Sequence, residues 1–366
     1  MPADRPASVG FSGSYDRADI TFLLKPVAMP ATGVAEKEAA IQSGRRHYSE
    51  MLAPEAIPSA AYLDLYRAAL ARNGDRLAQD VANLAAHLAQ RRPGREVVIV
   101  SLARAGTPIG VLLARTLRAW GRVAHHYSIS IIRDRGIDRV ALAHIAAIHN
   151  VEDAVFVDGW TGKGAIAGEL RAALADRPFG FAPELAVIAD PAGQADIAAT
   201  ADDYLIASGL LNGIVSGLVS RSILNAEVVG AGDFHACATY PQHASADVSR
   251  AFVDAIAPRA AAASPRAIDG HAGQRAELRA ACEAMLDTLL AHSGTRDRNR
   301  IKPGIAEATR ALLRRVPERL LVRDSRDADV AHLLHLAAEH AIPVEPLGGA
   351  SHYRAVAIIR SLGNEA

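Results

Sequence analysis

VFVDGWTGKG, residues 155–164, is the stretch that decides the fold. Its β-branched and aromatic residues predict a strand that ends at Asp158 and runs into a turn rich in glycine. Glycine lets phosphate oxygens approach backbone N–H groups closely, and the strand delivers the carboxylate to the edge of a sheet. The stretch therefore predicts a strand-to-helix turn that holds a phosphorylated sugar.

A second strand-to-turn unit lies upstream. Val97–Leu102 is predicted to be an apolar strand, and ARAGTP follows it at residues 103–108. Thr107 is predicted to be a helix N-cap, with Pro108 at the first helical position. The forked and permanent charge of Arg104 suits a diphosphate. We expect the two turns to face each other.

Strands and helices alternate through the middle of the chain. Apolar strands are predicted at Val97–Leu102, 125–132, 154–157 and Leu185–Ala189, with helices between them. This alternation is typical of a doubly wound, mostly parallel α/β sheet, in which ligands bind at the carboxyl ends of the strands. The sequence also predicts a helical cap near residues 59–90 and a small-residue apolar helix over residues 210–224.

Length and composition set the broad class. The chain has 366 residues, 50% of them hydrophobic, which exceeds one compact domain and leaves enough apolar side chains for a core. With 40 basic and 40 acidic residues the net charge is +0, so a nucleic-acid contact needs a local basic patch. The start of the sequence has no apolar signal segment, no run is long enough to span a membrane, and the 2 cysteines have no zinc or disulfide spacing. We expect a cytoplasmic protein without membrane contact.

The C-terminal part contains an amphipathic segment, RIKPGIAEATRALLRR at residues 300–315. Ile305 and Leu312 fall on one helical face, whereas Glu307 and Arg310 fall on the opposite face. A free helix N-terminus at this point offers backbone donors to a phosphate group. The alternative is a surface helix whose basic face is simply solvated.

Three loops of the chain follow one another in the order of a known enzyme family. The segment RDRGID at residues 133–138, after the 125–132 strand, is predicted to be a charged, mobile flap. A diphosphate loop, a basic flap and an acidic phosphate loop in this order resemble the phosphoribosyltransferases.

Five segments narrow this resemblance: SGSYDRADITFLLKP at residues 12–26, GRRHYSEM at 44–51, SLARAGTPIG at 101–110, SIIRDRGID at 130–138 and FVDGWTGKGAI at 156–166. Together they resemble a bacterial subfamily from tellurite and stress operons, which is also labelled as a StiP-type cysteine protease family. Its members join a phosphoribosyltransferase-like domain to a C-terminal Pelota-like RNA-binding domain. The resemblance implies a phosphoribosyltransferase-like domain with an N-terminal helical cap at residues 1–275, a helical linker at 276–298 and a Pelota-like domain at 299–366.

The resemblance also implies a function. It indicates a transferase, linked to nucleoside or nucleotide synthesis under stress, that binds phosphoribosyl diphosphate and a nucleobase-like acceptor. The diphosphate would carry Mg²⁺, so no residue is assigned as a direct metal ligand. The implied catalytic residues are Asp158, near the anomeric carbon, and Arg104, on the leaving diphosphate. The implied substrate-binding residues are Ala105, Gly106, Thr107, Arg133, Arg135, Thr161, Gly162, Lys163 and Gly164. For a structured RNA, the corresponding residues are Lys302, Gly304, Glu307 and Arg310.

The phosphate loop departs from the wider family at one point. Asp158 is followed by Gly159 and Trp160, where the family has a second acidic residue that helps to bind the ribose hydroxyls. A loop with one carboxylate keeps open a noncatalytic alternative, in which the protein senses a phosphoribosyl ligand and binds RNA.

A further alternative is a cysteine protease. It would use Cys237 as the nucleophile, His235 or His243 as the base and Asp233 as the group that orients the base. His235 and Cys237 are two residues apart and share a face only on a strand. Packing is the ordinary role of a lone cysteine. The oligomeric state and the role of the N-terminal segment stay open.

Overall fold

The computed structural model of the chain describes residues 9–268, 270–293, 297–348 and 351–361. Within these ranges the helices are α1 (Val34–Gln42), α2 (Ala60–Arg91), α3 (Gly106–Ala119), α4 (Arg139–Ala146), α5 (Ala165–Ala173), α6 (Ser249–Ala262), α7 (Gly270–Ser293), α8 (Ile305–Arg314) and α9 (Ala331–Glu339). The strands are β1 (Thr21–Phe22), β2 (Lys25–Pro26), β3 (Val97–Leu102), β4 (Ala124–Ile129), β5 (Ile131–Ile132), β6 (Gly136–Ile137), β7 (Ala154–Trp160), β8 (Leu185–Ala189), β9 (Ile197–Thr200), β10 (Ala236–Cys237), β11 (Ile301–Pro303), β12 (Pro317–Val322), β13 (Val344–Pro346) and β14 (Ala355–Ile359).

Six parallel strands form the central sheet, in the order β1-β4-β3-β7-β8-β9. β3 lies in the middle and pairs with β4 on one side and β7 on the other. Val98 stands opposite both His125 and Ala154, so the three strands begin at the same edge of the sheet. Their carboxyl ends therefore meet at the opposite edge, where the predicted ligand loops begin.

Helices cover both faces of this sheet. α2, α3 and α6 belong to one apolar layer, which contains Ile99 and Val157. α4 and α5 contribute to a second layer on the other face, together with Val98 and Phe156. Successive strand residues point to opposite faces, so a strand buried on both faces is apolar at nearly every position. In β3 the one polar residue is Ser101, whose hydroxyl lies 2.8 Å from Nε2 of His126. The predicted doubly wound, mostly parallel α/β fold is confirmed.

A smaller domain with its own sheet follows α7, in the strand order β11-β14-β12-β13. β14 runs antiparallel to β11 and β12, whereas β12 and β13 are parallel. α8 lies on this sheet and buries Ile305, Ala308 and Leu312, which is the apolar face that the sequence predicts. The predicted smaller C-terminal α/β domain is confirmed.

The limits of the predicted domains stay predictions. The predicted linker at 276–298 falls largely within α7. Residues 1–8, 294–296 and 362–366, which belong to the three predicted segments, lie outside the described residues. Among the residues that are described, no helix combines the length and the apolar character needed to cross a membrane.

Two local predictions, the N-cap at Thr107 and the helix at 210–224, differ from the structure. Thr107 is not the N-cap of α3. The N-cap is Ala105 and the first helical residue is Gly106, so Thr107 and Pro108 both lie within the helix. The flap at 133–138 closes the β5–β6 hairpin, and Glu169 accepts hydrogen bonds from the N–H groups of Asp134 and Gly136.

Residues 210–224 do not form the predicted helix. Short 3₁₀ turns at Ala207–Leu210 and Gly213–Val215 precede an irregular segment. Gly217 and Leu218 adopt φ values of 83° and 59°, in the left-handed region that a right-handed helix excludes. Glycine is a poor helix former, and residues 209–217 contain three glycines. Their effect outweighs the helical spacing of the other residues, so the predicted helix does not form.

Candidate active site between the two domains

The loops after β3 and β7 meet at the carboxyl edge of the sheet, as the sequence predicts. A Cβ atom on Gly106 would lie 3.0 Å from the Cα of Asp158 and inside the contact distance of the Val157 carbonyl oxygen. A Cβ atom on Gly159 would lie 3.5 Å from the carbonyl oxygen of Ala105. The two backbones therefore touch each other, and only glycine fits at position 106.

A cavity of about 520 Å³ opens above this junction, between the central sheet and α8 of the smaller domain. Its size suits a drug-sized or nucleotide-sized ligand. Its wall carries an excess of positive charge. The basic side chains on the wall are Lys37, Lys163, Lys302, Arg133, Arg221, Arg310, Arg314 and Arg315, and the acidic ones are Glu55, Asp158, Glu307 and Glu339.

Lysine is rare in this chain and concentrated here. The four lysines of the sequence are Lys25, Lys37, Lys163 and Lys302, and the last three line the cavity. Burial, with repulsion from neighbouring cations, lowers the pKa of Lys302 to about 7 and the pKa of Lys163 to about 8. Burial also lowers the pKa of Lys37 to about 8. Burial and mutual repulsion make the protonated form of each lysine costly. An anionic ligand would restore that form, so the cavity favours such a ligand.

Asp158 is the buried acid at the floor of the cavity. Burial raises its pKa to about 6, against the opposing attraction of Arg310 and a hydrogen bond from the N–H of Gly159. That hydrogen bond joins the Gly159 nitrogen to Oδ1 at 2.8 Å. The carboxyl group is therefore ionised at neutral pH but close to its titration range.

The phosphate loop is held from behind by a second aspartate. Oδ1 of Asp190 accepts hydrogen bonds from the hydroxyl of Thr161 and from the N–H of Gln194, the latter at 2.9 Å. Oδ2 of Asp190 accepts a hydrogen bond from the N–H of Ala195 at 2.9 Å and lies 2.9 Å from Nε2 of His271. The side chain of Thr161 therefore anchors the phosphate loop to Asp190. Gly164 adopts φ 83° where the loop enters α5.

Arg104 is already paired in this structure. Its guanidinium contacts both carboxylate oxygens of Glu55, at 3.0 and 2.5 Å, and the carbonyl oxygen of Val219 at 2.7 Å. Burial favours the neutral form of Glu55, but Arg104 holds the pKa of Glu55 below its usual value. The side chain of Arg104 is 5% exposed and stands beside the cavity wall, behind Glu55.

The other predicted ligand residues divide into two groups. Lys163, Gly162 and Arg133 line the cavity. Arg135 turns away to pair with Glu50 at 2.8 Å, and the buried hydroxyl of Thr107 lies 2.9 Å from that of Ser128. The role of each residue in binding stays a prediction.

The N-terminus of α8 is capped by the larger domain. Asp203 accepts hydrogen bonds from the N–H of Ile305 at 3.0 Å and from the N–H of Arg354 at 2.8 Å. The expectation that this helix end is free to meet a phosphate group is therefore wrong for this arrangement. Gly304 precedes the helix at φ 91° and has no side chain to supply the cap itself, so a partner from another domain provides it.

Three of the four predicted RNA-binding residues, Lys302, Glu307 and Arg310, line the cavity. Glu307 and Arg310 pair at 2.8 Å, and the guanidinium of Arg310 lies 4.6 Å from the ring centre of Trp160. Lys302 also lies on the cavity wall. A Cβ atom on Gly162 would collide with the side chain of Glu307, so α8 rests directly on the phosphate loop.

Polar contacts hold the two domains together around this cavity. The hydroxyl of Tyr353 donates to the carbonyl oxygen of Gly162 at 2.7 Å. Arg354 pairs with Asp202 at 2.8 Å, and Arg72 pairs with Asp329 at 3.1 Å. The described arrangement is therefore a closed one, in which one wall of the site comes from each domain.

The residues of the protease alternative do not form a triad here. Cys237 is fully buried, and burial raises the pKa of its thiol to about 12. Nδ1 of His235 lies 2.8 Å from the hydroxyl of Ser130, and Asp233 pairs with Lys25 at 2.7 Å. The ring of His243 stacks on Tyr240. Each proposed partner of the thiol is thus engaged elsewhere.

Several cavity residues escaped the sequence analysis. Glu55 and Lys37 lie outside any motif with a recognisable ligand spacing, whereas Trp160 and Arg314 lie in the segments 155–164 and 300–315 but were given no role there. The scarcity of lysine was the one available signal, since three of the four lysines share this wall.

Comparison with known families gives two matches along the chain. Residues 13–257 match the family described as tellurite-like stress resistance cysteine protease StiP, and residues 280–361 match the PELOTA RNA binding domain. A protein of Acinetobacter baylyi named cysteine protease StiP is 42% identical over 367 residues, which cover 97% of this chain and 95% of the relative.

Solved structures give only distant likenesses. The hypoxanthine phosphoribosyltransferase of Trypanosoma cruzi is 13% identical over 36% of this chain and 82% of its own, with a TM-score of 0.28. A mutant of that enzyme complexed with the product IMP is 12% identical over 47% of this chain and 91% of its own, also with a TM-score of 0.28. Identities and TM-scores this low support no conclusion about the ligand or the reaction of this chain.

Proposed function

The chain belongs to the StiP family of tellurite-like stress resistance proteins, and on that premise we propose that it is a phosphoribosyltransferase acting in a stress response. The cavity between its domains would bind phosphoribosyl diphosphate with Mg²⁺ and transfer the phosphoribosyl group to a nucleobase-like acceptor. The observation that carries this proposal is the crowding of cations around the phosphate loop. Three lysines with lowered pKa values and five arginines face four carboxylates across one cavity.

The charges are placed as this reaction requires. In the displacement, the bond between C1 of ribose and the diphosphate oxygen breaks, both electrons leave with the diphosphate, and an acceptor nitrogen forms the new bond to C1. Positive charge develops on the ribose ring, where the ionised Asp158 would stabilise it. Negative charge develops on the leaving diphosphate, where Lys163 and Lys302 would stabilise it.

The cavity also fits Mg²⁺. This ion takes oxygen ligands and is commonly held by one or two carboxylates together with substrate phosphates. Asp158 and Glu307 are close enough for the charge of Glu307 to raise the pKa of Asp158, and both line the cavity. These two residues would hold the ion, which when bound neutralises the charge of the diphosphate.

Calorimetric titration of phosphoribosyl diphosphate with Mg²⁺ into the full chain tests this proposal. We expect Lys302→Met to weaken binding about 10- to 100-fold, because a hydrogen bond from a charged group contributes roughly 1.5–3 kcal/mol. The matched control is Arg139→Met, whose exposed side chain pairs with Asp176 outside the cavity. The proposal would be contradicted if both variants lost the same amount of affinity for the ligand, or if neither lost any.

Release of diphosphate in the presence of a nucleobase mixture separates transfer from binding alone. Asp158→Asn is expected to weaken binding of the ligand with Mg²⁺, because one of the two carboxylates that would hold the ion is lost, and to abolish release, since the amide cannot stabilise positive charge on the ribose ring. Wild-type protein that binds but releases nothing with any base would support the noncatalytic alternative.

One observation favours that alternative, a ligand sensor that binds RNA. Lys302, Glu307 and Arg310 line the same cavity as the phosphate loop, so an RNA that contacts them must separate the domains. A ligand that bridges the two walls would hold the domains closed. Ligand binding and RNA binding would then exclude each other.

Fluorescence anisotropy with a kink-turn RNA hairpin tests this exclusion. We expect saturating phosphoribosyl diphosphate with Mg²⁺ to weaken RNA binding. Asp329→Ala is expected to strengthen RNA binding, because it removes the contacts of Asp329 with Arg72 and Asn73 of the larger domain. An RNA affinity that neither the ligand nor the variant changes would rule out the sensor.

The name of the relative from A. baylyi assigns a cysteine protease activity to that protein. Such a mechanism needs an accessible thiolate. In this chain burial raises the pKa of both thiols, that of Cys237 to about 12, and Sγ of Cys282 lies 3.2 Å from the hydroxyl oxygen of Tyr353. The present proposal therefore rests on the cavity and gives neither cysteine a chemical role.

A further inference from the structure

Two histidines and a glutamate converge at the edge of the central sheet opposite the cavity. Glu96 directly precedes β3, His125 lies near the start of β4, and His149 lies in the segment before β7. These three strands are neighbours in the sheet, so their amino ends bring the side chains together. β3 is six residues long, which places this cluster roughly 20 Å from the cavity at ~3.3 Å per residue.

The geometry of the cluster is that of a small metal site. Oε1 of Glu96 lies 2.8 Å from Nδ1 of His149, and Oε2 of Glu96 lies 3.2 Å from Nε2 of His125. One ligand atom from each of the three residues lies within 4.8 Å of the other two. Small rotations of these side chains would bring all three atoms to the bond lengths of about 2.0–2.2 Å that zinc forms with nitrogen and oxygen.

A further residue orients one of the imidazoles. The hydroxyl of Tyr127 lies 2.9 Å from Nε2 of His149, on the side of the ring away from Glu96. Histidine ligands commonly use one ring nitrogen for the metal and the other for such a hydrogen bond, which sets the tautomer and the ring orientation. Nδ1 of His149 is thereby left to face the space between Glu96 and His125.

We propose that Glu96, His125 and His149 bind one divalent transition-metal ion of the zinc type. Two imidazoles and one carboxylate suit zinc, cobalt, nickel and copper, whereas Mg²⁺ prefers oxygen ligands alone. The side chain of His125 is 42% exposed and that of His149 is 8% exposed, so the site opens to solvent on one side and water completes the coordination. The ion ties together the amino ends of three core strands and stands apart from the proposed transfer reaction.

The ordinary explanation of the cluster is a glutamate that accepts hydrogen bonds from two histidines. The two explanations differ in what happens when metal is added. A hydrogen-bonded cluster gains nothing from Zn²⁺, whereas a metal site stabilises the fold by an amount that grows with the free metal concentration.

Titration of Co²⁺ and Zn²⁺ into the full chain, stripped with EDTA and free of any histidine tag, tests the proposal. Visible absorption of Co²⁺ and calorimetry with Zn²⁺ should show one ion per chain. His125→Ala and His149→Ala should each weaken binding at least 100-fold, and Tyr127→Phe about 10-fold as the orienting hydrogen bond is lost.

The matched control is His292→Ala, an exposed histidine on α7 whose ring contacts only the carbonyl oxygen of Thr288 in the described hydrogen bonds. It should bind metal like the wild type. Circular dichroism shows whether each variant is folded, and the exposed position of His125 makes its variant the safest one to interpret. Binding that is equal in His125→Ala and wild type, or no binding below millimolar metal, would overturn the proposal.

Discussion

Replacing Gly106 by alanine is expected to break the junction of the two ligand loops and to destabilise the chain by about 3 kcal/mol, the upper end of the usual cost of overpacking. The new Cβ atom would meet the Val157 carbonyl oxygen and lie 3.0 Å from the Cα of Asp158. Both atoms belong to the backbone of β7, a buried central strand, so neither can move aside as the end of a flexible side chain would. Urea denaturation measures the loss, and calorimetry should show that binding of phosphoribosyl diphosphate is lost with it.

Gly168→Ala is the matched control for this substitution. Gly168 lies within α5, and a Cβ atom there would meet nothing within 4 Å. Alanine is the better helix former by roughly 1 kcal/mol, so this variant should be at least as stable as the wild type. If Gly106→Ala were as stable as Gly168→Ala, the loops after β3 and β7 would not touch in the way described.

The second large effect is expected from Glu55→Ala, which leaves the guanidinium of Arg104 buried without its carboxylate partner. Removing one member of a buried ion pair costs roughly 3–5 kcal/mol. Glu55 also accepts a hydrogen bond from the N–H of Gly213 at 3.0 Å, and that bond is lost as well. Urea denaturation should show this loss for Glu55→Ala.

A double substitution and a surface pair complete the test. Glu55→Met combined with Arg104→Met should recover much of the loss, because no buried charge is left unpaired. Asp176→Ala, which breaks the exposed pair of Asp176 with Arg139, should cost less than about 1 kcal/mol. If Glu55→Ala cost no more than Asp176→Ala, Arg104 would not depend on Glu55 and would be free to meet a diphosphate.

The central sheet could be predicted because its strands are buried on both faces. Leu185–Ala189 is an uninterrupted apolar run, Val97–Leu102 is apolar except for Ser101, and the structure places both strands at the predicted residues. The meeting of the loops after β3 and β7 followed from a general rule, that neighbouring parallel strands end at the same edge of a sheet. β14 (Ala355–Ile359) is also an apolar run, but no strand was predicted at these residues.

Contacts between distant segments could not be predicted. Asp203 caps α8 from 102 residues away, and Glu55 reaches Arg104 from an irregular segment 49 residues upstream. No local pattern marks either partner, because the sequence around Gly304 describes only a helix that lacks a cap of its own. For the same reason the sequence predicted that α8 is free to bind RNA, whereas in the structure Glu307 and Arg310 of this helix line the cavity.

The placement of lysine allows a direct test of whether this cavity binds a polyanionic ribose compound. Reductive methylation with formaldehyde, followed by mass spectrometry, reports the reactivity of each of the four lysines separately. Lys163 and Lys302 line the cavity, whereas Lys25 pairs with Asp233 outside it and serves as an internal control. The account predicts that phosphoribosyl diphosphate with Mg²⁺ slows methylation of Lys163 and Lys302 and leaves Lys25 unchanged. Unchanged methylation of Lys163 and Lys302 at a saturating ligand concentration would contradict it.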